Sequence, residues 1–181
     1  MRREKLAARI ALDQTTHAVL SAAIEAHLTA LMMPLPPQTL AFCAPVRGEF
    51  DTRPLASVLL HHGWRAAMPV VEAIDAPMSF RAWTPSTTMS VDRYGIPIPA
   101  AGPAIAPDIV LLPLVAFDAQ GFRLGYGGGY FDRTLAALVP RPLAIGIGFE
   151  LARVADIRPQ AHDLPLDAVV TEAGAQRFRL A

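Results

Sequence analysis

The sequence predicts an α/β layered domain built on a largely parallel sheet. Two observations carry that expectation. Short apolar runs at 39–44, 66–71, 78–83, 108–115, 143–149 and 168–171 alternate with stretches of helical spacing, the order that strand–helix–strand units require. No internal repeat or flexible linker divides the 181 residues, a length that suits one domain of roughly 100–200 residues.

Leu6, Ile10, Leu20, Ile24, Leu28 and Leu31 recur near helical spacing. The polar run Asp13-Gln14-Thr15-Thr16 breaks this region, about 2–33, into two helices, and Pro34, Pro36 and Pro37 end the second. The α/β core then occupies about 38–172. A helix begins at Thr52, with Pro54 in its first turn, and stops at Gly63. Residues 84–107 are rich in proline and small side chains and lack periodicity, so a long ordered loop or lid is expected there. Asp118-Ala119-Gln120-Gly121 reads as a turn, and 131–139 as a helix with Leu135, Leu138 and Val139 on its buried side.

Hydrophobic residues make up 52% and charged ones 18%, with sixteen basic side chains against sixteen acidic. No overall field favours nucleic acid or an anionic membrane, and no apolar stretch of about 18 residues is present. Met1-Arg2-Arg3-Glu4-Lys5 is followed by no continuous apolar segment. A cytoplasmic monomer with neither nucleic-acid nor membrane partners is expected. Cys43, the single cysteine, lies in the apolar run Leu40-Ala41-Phe42-Cys43-Ala44 and reads as a small hydrophobe rather than a nucleophile.

The chemistry concentrates at Gly121-Phe122-Arg123-Leu124-Gly125-Tyr126-Gly127-Gly128-Gly129-Tyr130-Phe131-Asp132-Arg133. Glycines let backbone amides converge on a ligand. The helix that follows offers unpaired N–H groups and a positive dipole end, which together favour phosphate. Arg123 and Arg133 flank the loop and suit phosphate oxygens. Asp132 is a hard oxygen donor suited to Mg²⁺ beside a nucleotide. No Gly-Lys-Ser/Thr follows, and the Rossmann spacing and its acidic partner are missing. Residue chemistry alone therefore reaches an anion-binding loop, with a plain glycine turn as the alternative. Taken singly, Glu49 reads as a solvated carboxylate, Asp167 as a turn cap, His162-Asp163 as a local turn pair, and Trp83 and Tyr94 as packing residues.

Leu112-Pro113-Leu114-Val115-Ala116-Phe117-Asp118 and the segment from Arg123 to Arg133 resemble the signature of 5-formyltetrahydrofolate cyclo-ligases. The resemblance extends, in the family's order, to 47–52, 94–99 and 162–172. It implies a single-domain, Rossmann-like three-layer α/β/α fold over 1–181, similar in architecture to sugar-phosphate isomerases and CoA transferases. It also implies Mg-ATP-dependent conversion of 5-formyltetrahydrofolate to 5,10-methenyltetrahydrofolate. On that resemblance Arg123, Leu124, Gly125, Tyr126, Gly127, Gly128, Gly129, Tyr130 and Phe131 line the ATP site, joined by Arg3. Tyr126, Gly127, Gly128, Gly129 and Tyr130 also touch the folate, and Glu49 holds its pterin end. Arg123 and Tyr130 position the reactants and stabilise charge, and Asp132 and Asp167 bind Mg²⁺. Relatives carry a basic residue followed three and four positions later by Leu-Arg. Setting Leu6 at that leucine places Arg3 at the first site but Ala7 at the arginine, with Arg9 two residues out of register. That departure motivates an alternative expectation, a diverged member that binds nucleotide or folate without cyclising it.

Overall fold

A computed structural model describes residues 1–160 and 162–178. Two helices open the chain, α1 (Arg2–Ile10) and α2 (Gln14–Met32), separated where the polar run predicted. The break has a local cause: the Asp13 carboxylate accepts the Thr16 amide at 2.9 Å and caps α2, a contact of the kind that stabilises a helix by about 1 kcal/mol. There follow β1 (Thr39–Ala41), α3 (Arg53–His61), β2 (Arg65–Val70), β3 (Ser79–Trp83), β4 (Met89–Val91), β5 (Pro97–Pro99) and β6 (Ile109–Pro113). The chain continues with β7 (Ala116–Phe117), β8 (Arg123–Leu124), α4 (Tyr130–Ala137), β9 (Leu143–Ile147), a short 3₁₀ turn (Glu150–Ala152), β10 (Ala168–Thr171) and β11 (Gly174–Arg177).

The central sheet runs β11-β10-β9-β6-β1-β2-β3. Its five inner strands are parallel, and β3 and β11 lie antiparallel at the two edges. Alternation along β6 sorts the core into two layers. Ile109 and Leu111 join Ile24, Leu28, Leu55 and Leu59 of α2 and α3, whereas Val110 and Leu112 join Leu135 of α4 and Phe117 of the β7–β8 hairpin. Helices thus cover both faces, as continuous apolar strands such as Ile-Val-Leu-Leu require. The chain leaves β1 toward β2 on one side and β6 toward β9 on the other, so the strand order reverses between β1 and β6. Open α/β sheets bind ligands at the carboxyl ends of the strands flanking such a point.

The structure departs from the expectations at several places. Residues 84–107 contain the β4–β5 hairpin, turned by Asp92, whose Oδ1 accepts the amides of Tyr94 and Ile96. Helix α4 stops at Ala137, and Val139 is 93% exposed, not buried. Pro140 explains the early stop, because a residue before proline is disfavoured in helical conformation. β1 ends at Ala41, although the Phe42 amide still donates to Ala67 O at 3.0 Å. β11 had no counterpart in the sequence reading. Cys43 is partly exposed, but desolvation of its thiol, with Glu49 and Asp92 nearby, pushes its pKa well up and leaves it no thiolate.

Candidate active site

The glycine loop lies between β8 and α4, and its backbone is shaped by what crowds it. Gly129 takes φ +62°, and a Cβ there would meet Arg133 Nη1 at 2.8 Å. At Gly128 a Cβ would meet the Tyr130 ring at 2.8 Å. Two arginines hold the loop's carbonyls: Arg2 Nε donates to Gly125 O at 2.7 Å, and Arg133 Nη2 to Gly128 O at 2.6 Å. The Arg133 guanidinium also covers the Tyr130 ring, 4.9 Å from its centroid. Tyr130 Oη lies 2.7 Å from Tyr94 Oη, which ties the β4–β5 hairpin to the loop.

At the switch point the segments leaving β1 and β6 converge. Tyr126 Oη donates to Glu49 Oε1 at 2.5 Å across 77 residues of sequence, and the Val46 amide donates to Glu49 Oε2 at 3.0 Å. Glu49 is 8% exposed. Burial raises its pKa, opposed by the Tyr126 and Val46 hydrogen bonds and by the charges of Arg9 and Arg47. Tyr126 is raised in turn, by burial and by the Glu49 charge, so the phenol keeps its proton and donates it to Glu49. Arg9 Nη2 donates to Tyr126 Oη at 2.6 Å and lies 3.4 Å from Glu49 Oε1. Beyond Glu49, the same connection borders a cavity of about 420 Å³, lined by Ala44, Asp51, Arg53, Met68, Trp83 and Met89 among others.

The other anticipated residues divide. Arg123 turns inward, pairing with Asp132 Oδ1 at 2.9 Å and donating to Leu164 O at 2.8 Å. Asp132 Oδ1 also accepts the Leu164 amide. Asp167 lies at the amino end of β10, the sheet edge opposite the Glu49–Tyr126 pair; it accepts from Arg141 Nη1 at 3.1 Å and from the Ala144 amide at 2.8 Å. Arg3 is exposed. Among the described residues no group of three or more His, Cys, Asp or Glu side chains is gathered as a metal site.

The sequence profile of the 5-formyltetrahydrofolate cyclo-ligase family matches residues 1–172. The chain belongs to this family. The cyclo-ligase of Escherichia coli K12 is 34% identical, with 77% of this chain and 83% of that protein aligned. That of Mycolicibacterium smegmatis is 30% identical, with 93% and 94% aligned. The solution structure of Aquifex aeolicus 5,10-methenyltetrahydrofolate synthetase superposes with a TM-score of 0.86 at 29% identity, covering 99% of this chain and 92% of that one. The α/β fold and the ligase class follow from these matches.

For a cyclo-ligase, the three cations of α1 in this arrangement were not expected from the sequence, which pointed to Arg3. Arg2, Lys5 and Arg9 share one face of α1 at i, i+3 and i+7, and all three reach the core domain. Lys5 Nζ donates to Leu151 O at 2.7 Å and Arg153 O at 3.0 Å. Ala7, where the Leu6 register expected an arginine, is exposed. That three-cation face was the signal available, and a register fixed on Leu6 hid it.

Proposed function

We propose that the chain cyclises 5-formyltetrahydrofolate to 5,10-methenyltetrahydrofolate, consuming ATP and releasing ADP and phosphate. The observation that carries this reading is the Glu49–Tyr126 pair at the switch point, a buried carboxyl group hydrogen-bonded to a phenol that opens to solvent and joins it to the glycine loop. A buried carboxylate with a neutral phenol beside it suits the N–H donors of a pterin edge, and the loop's backbone suits phosphate. The cavity lined by Met68, Trp83 and Met89 is apolar enough for the arylamide that follows a pterin.

An N-formyl group is amide-like and a poor electrophile. Transfer of the γ-phosphoryl group to its oxygen makes an iminium phosphate. N10 then attacks the formyl carbon and gives up its proton to solvent, the C–O bond to phosphate breaks, and the five-membered ring is closed. Such a step calls for positioning and charge stabilisation more than for a nucleophilic side chain. Arg2 and Arg133, already donating to loop carbonyls, stand where phosphate oxygens would replace those acceptors. Tyr130, tied to Tyr94, positions the loop from the hairpin side. Arg123 acts at one remove, orienting Asp132.

Mg²⁺ entering with ATP draws most of its ligands from phosphate and water, so one or two carboxylates suffice. Asp132 fits that part, standing in the first turn of the helix that follows the loop. Asp167, as arranged here, fits less well, since both of its oxygens accept hydrogen bonds. The ion would supply charge neutralisation on the phosphates. Arg2 at the loop supplies a cation on α1 despite Ala7. ATP-dependent growth of the methenyltetrahydrofolate absorbance tests the proposal directly; wild-type protein that binds both substrates without forming the chromophore would establish the binder instead.

A further inference from the structure

We infer that Arg9 is a positioning residue for substrate binding, fixing the Tyr126 hydroxyl and the Glu49 carboxylate against one another as a single preformed acceptor. This rests on the function proposed above and deepens it.

Arg9 is the buried residue of α1, 5% exposed, on a helix whose other residues are exposed or half-buried. Its guanidinium reaches the connections leaving both strands of the switch point. Nε donates to Arg47 O at 3.0 Å, Nη1 to Leu114 O at 2.9 Å, and Nη2 to Tyr126 Oη at 2.6 Å, with Glu49 Oε1 at 3.4 Å. Guanidinium has donors in a planar fork and no acceptor. The Tyr126 hydroxyl therefore cannot donate toward Arg9; receiving from Arg9, it must turn its proton elsewhere, and Glu49 Oε1 at 2.5 Å is where it goes. One donor thus sets the direction of the next. Glu49 Oε2 is held by the Val46 amide, so the carboxylate's orientation is fixed from both ends and its remaining lone pairs are preorganised for a ligand.

Charge makes a second, separable contribution. The groups facing Glu49 are Arg9 from α1, Arg47 from its own loop, Tyr126 from the glycine loop, and the Cys43 thiol, protonated as described. Arg9 and Arg47 both favour the carboxylate over the acid. Removing Arg9 leaves burial less opposed, so Glu49 takes up its proton at higher pH than before, and whatever needs its anion fails earlier on acidification.

The test compares Arg9→Gln, Arg9→Lys and Tyr126→Phe with wild type in the methenyltetrahydrofolate assay, with thermal melts and calorimetric titration of 5-formyltetrahydrofolate. Arg9→Gln is expected to raise the KM for 5-formyltetrahydrofolate about tenfold or more, the cost of losing a hydrogen bond to a charged group. It should leave the KM for ATP little changed and move the acid limb of kcat/KM to higher pH. Arg9→Lys restores the cation without the fork, so its acid limb returns toward wild type while its KM stays raised. Tyr126→Phe keeps every main-chain bond of Arg9 and should reproduce the KM rise. If the variants only melt earlier, with the KM, acid limb and titrated affinity of the folded fraction unchanged, Arg9 is a structural clamp and the inference is overturned; a rise confined to the ATP constant overturns it too. Wild type that forms no methenyl product defeats the proposed function instead, and the titrations of the Arg9 and Tyr126 variants still decide the role of Arg9 by whether folate affinity falls.

Discussion

Glu49 is a carboxylate buried beside a phenol, and its chemistry follows from that setting. Because burial raises its pKa, the folded state holds the Glu49 proton more tightly than the unfolded chain. This contribution favours folding below the unfolded value and is lost as pH rises through the folded one. Glu49→Gln, which does not titrate, should therefore flatten the dependence of stability on pH above the ordinary glutamate range, read from melts across an acid-to-neutral series. The same variant should raise the KM for 5-formyltetrahydrofolate by about tenfold or more and leave that for ATP alone; movement of the ATP constant by itself would withdraw the folate role. Asp132 presents a different balance. Asp132→Asn keeps an acceptor for the Leu164 amide but removes the charge facing the buried Arg123 guanidinium. Turnover is expected to require more magnesium, together with a lower melting temperature, since an uncompensated buried charge destabilises. Unchanged magnesium dependence would remove Asp132 from the metal's surroundings.

Among the elements, the glycine loop makes the sharpest demand on sequence. Gly128→Val drives a branched side chain into the Tyr130 ring, 2.8 Å from the Cβ position, and should abolish binding of an ATP analogue in calorimetric titration. Gly128→Ala meets the same ring with one methyl and should weaken binding less. A variant that melts early yet binds normally when folded would make the loop a structural turn. The loop and strands β6, β9 and β10 were legible because glycine runs and uninterrupted apolar runs are local signals. The β4–β5 hairpin was not: Pro97 and Pro99 mask its pairing, and the Asx turn at Asp92 that makes it possible shows itself only in hydrogen bonds. β11, Gly-Ala-Gln-Arg, has no apolar alternation to read; its edge position against β10 supplies the order that its sequence lacks.

Across the whole molecule, the site is assembled from α1, the β1–α3 connection and the β8–α4 loop, joined by bonds that span up to 123 residues of sequence. Resemblance singled out Glu49 and Tyr126 separately, but only the fold shows that they touch. α1 docks largely through cations on main-chain carbonyls, and Arg9 is its buried residue. Lys5→Met should accordingly cost affinity for both substrates while leaving the α/β core's cooperative melt near its wild-type midpoint; a large loss of stability without a change in affinity would show α1 to be part of the core instead. One of the two tryptophans offers a direct view of these events. Trp83 lines the cavity beside Glu49's segment and sits edge-on to Phe42, 5.0 Å between centroids, while Trp64 lies within the apolar core. An absorbing pteridine arriving at that wall would drain light most directly from Trp83, so the unlabelled protein carries its own optical gauge of occupancy.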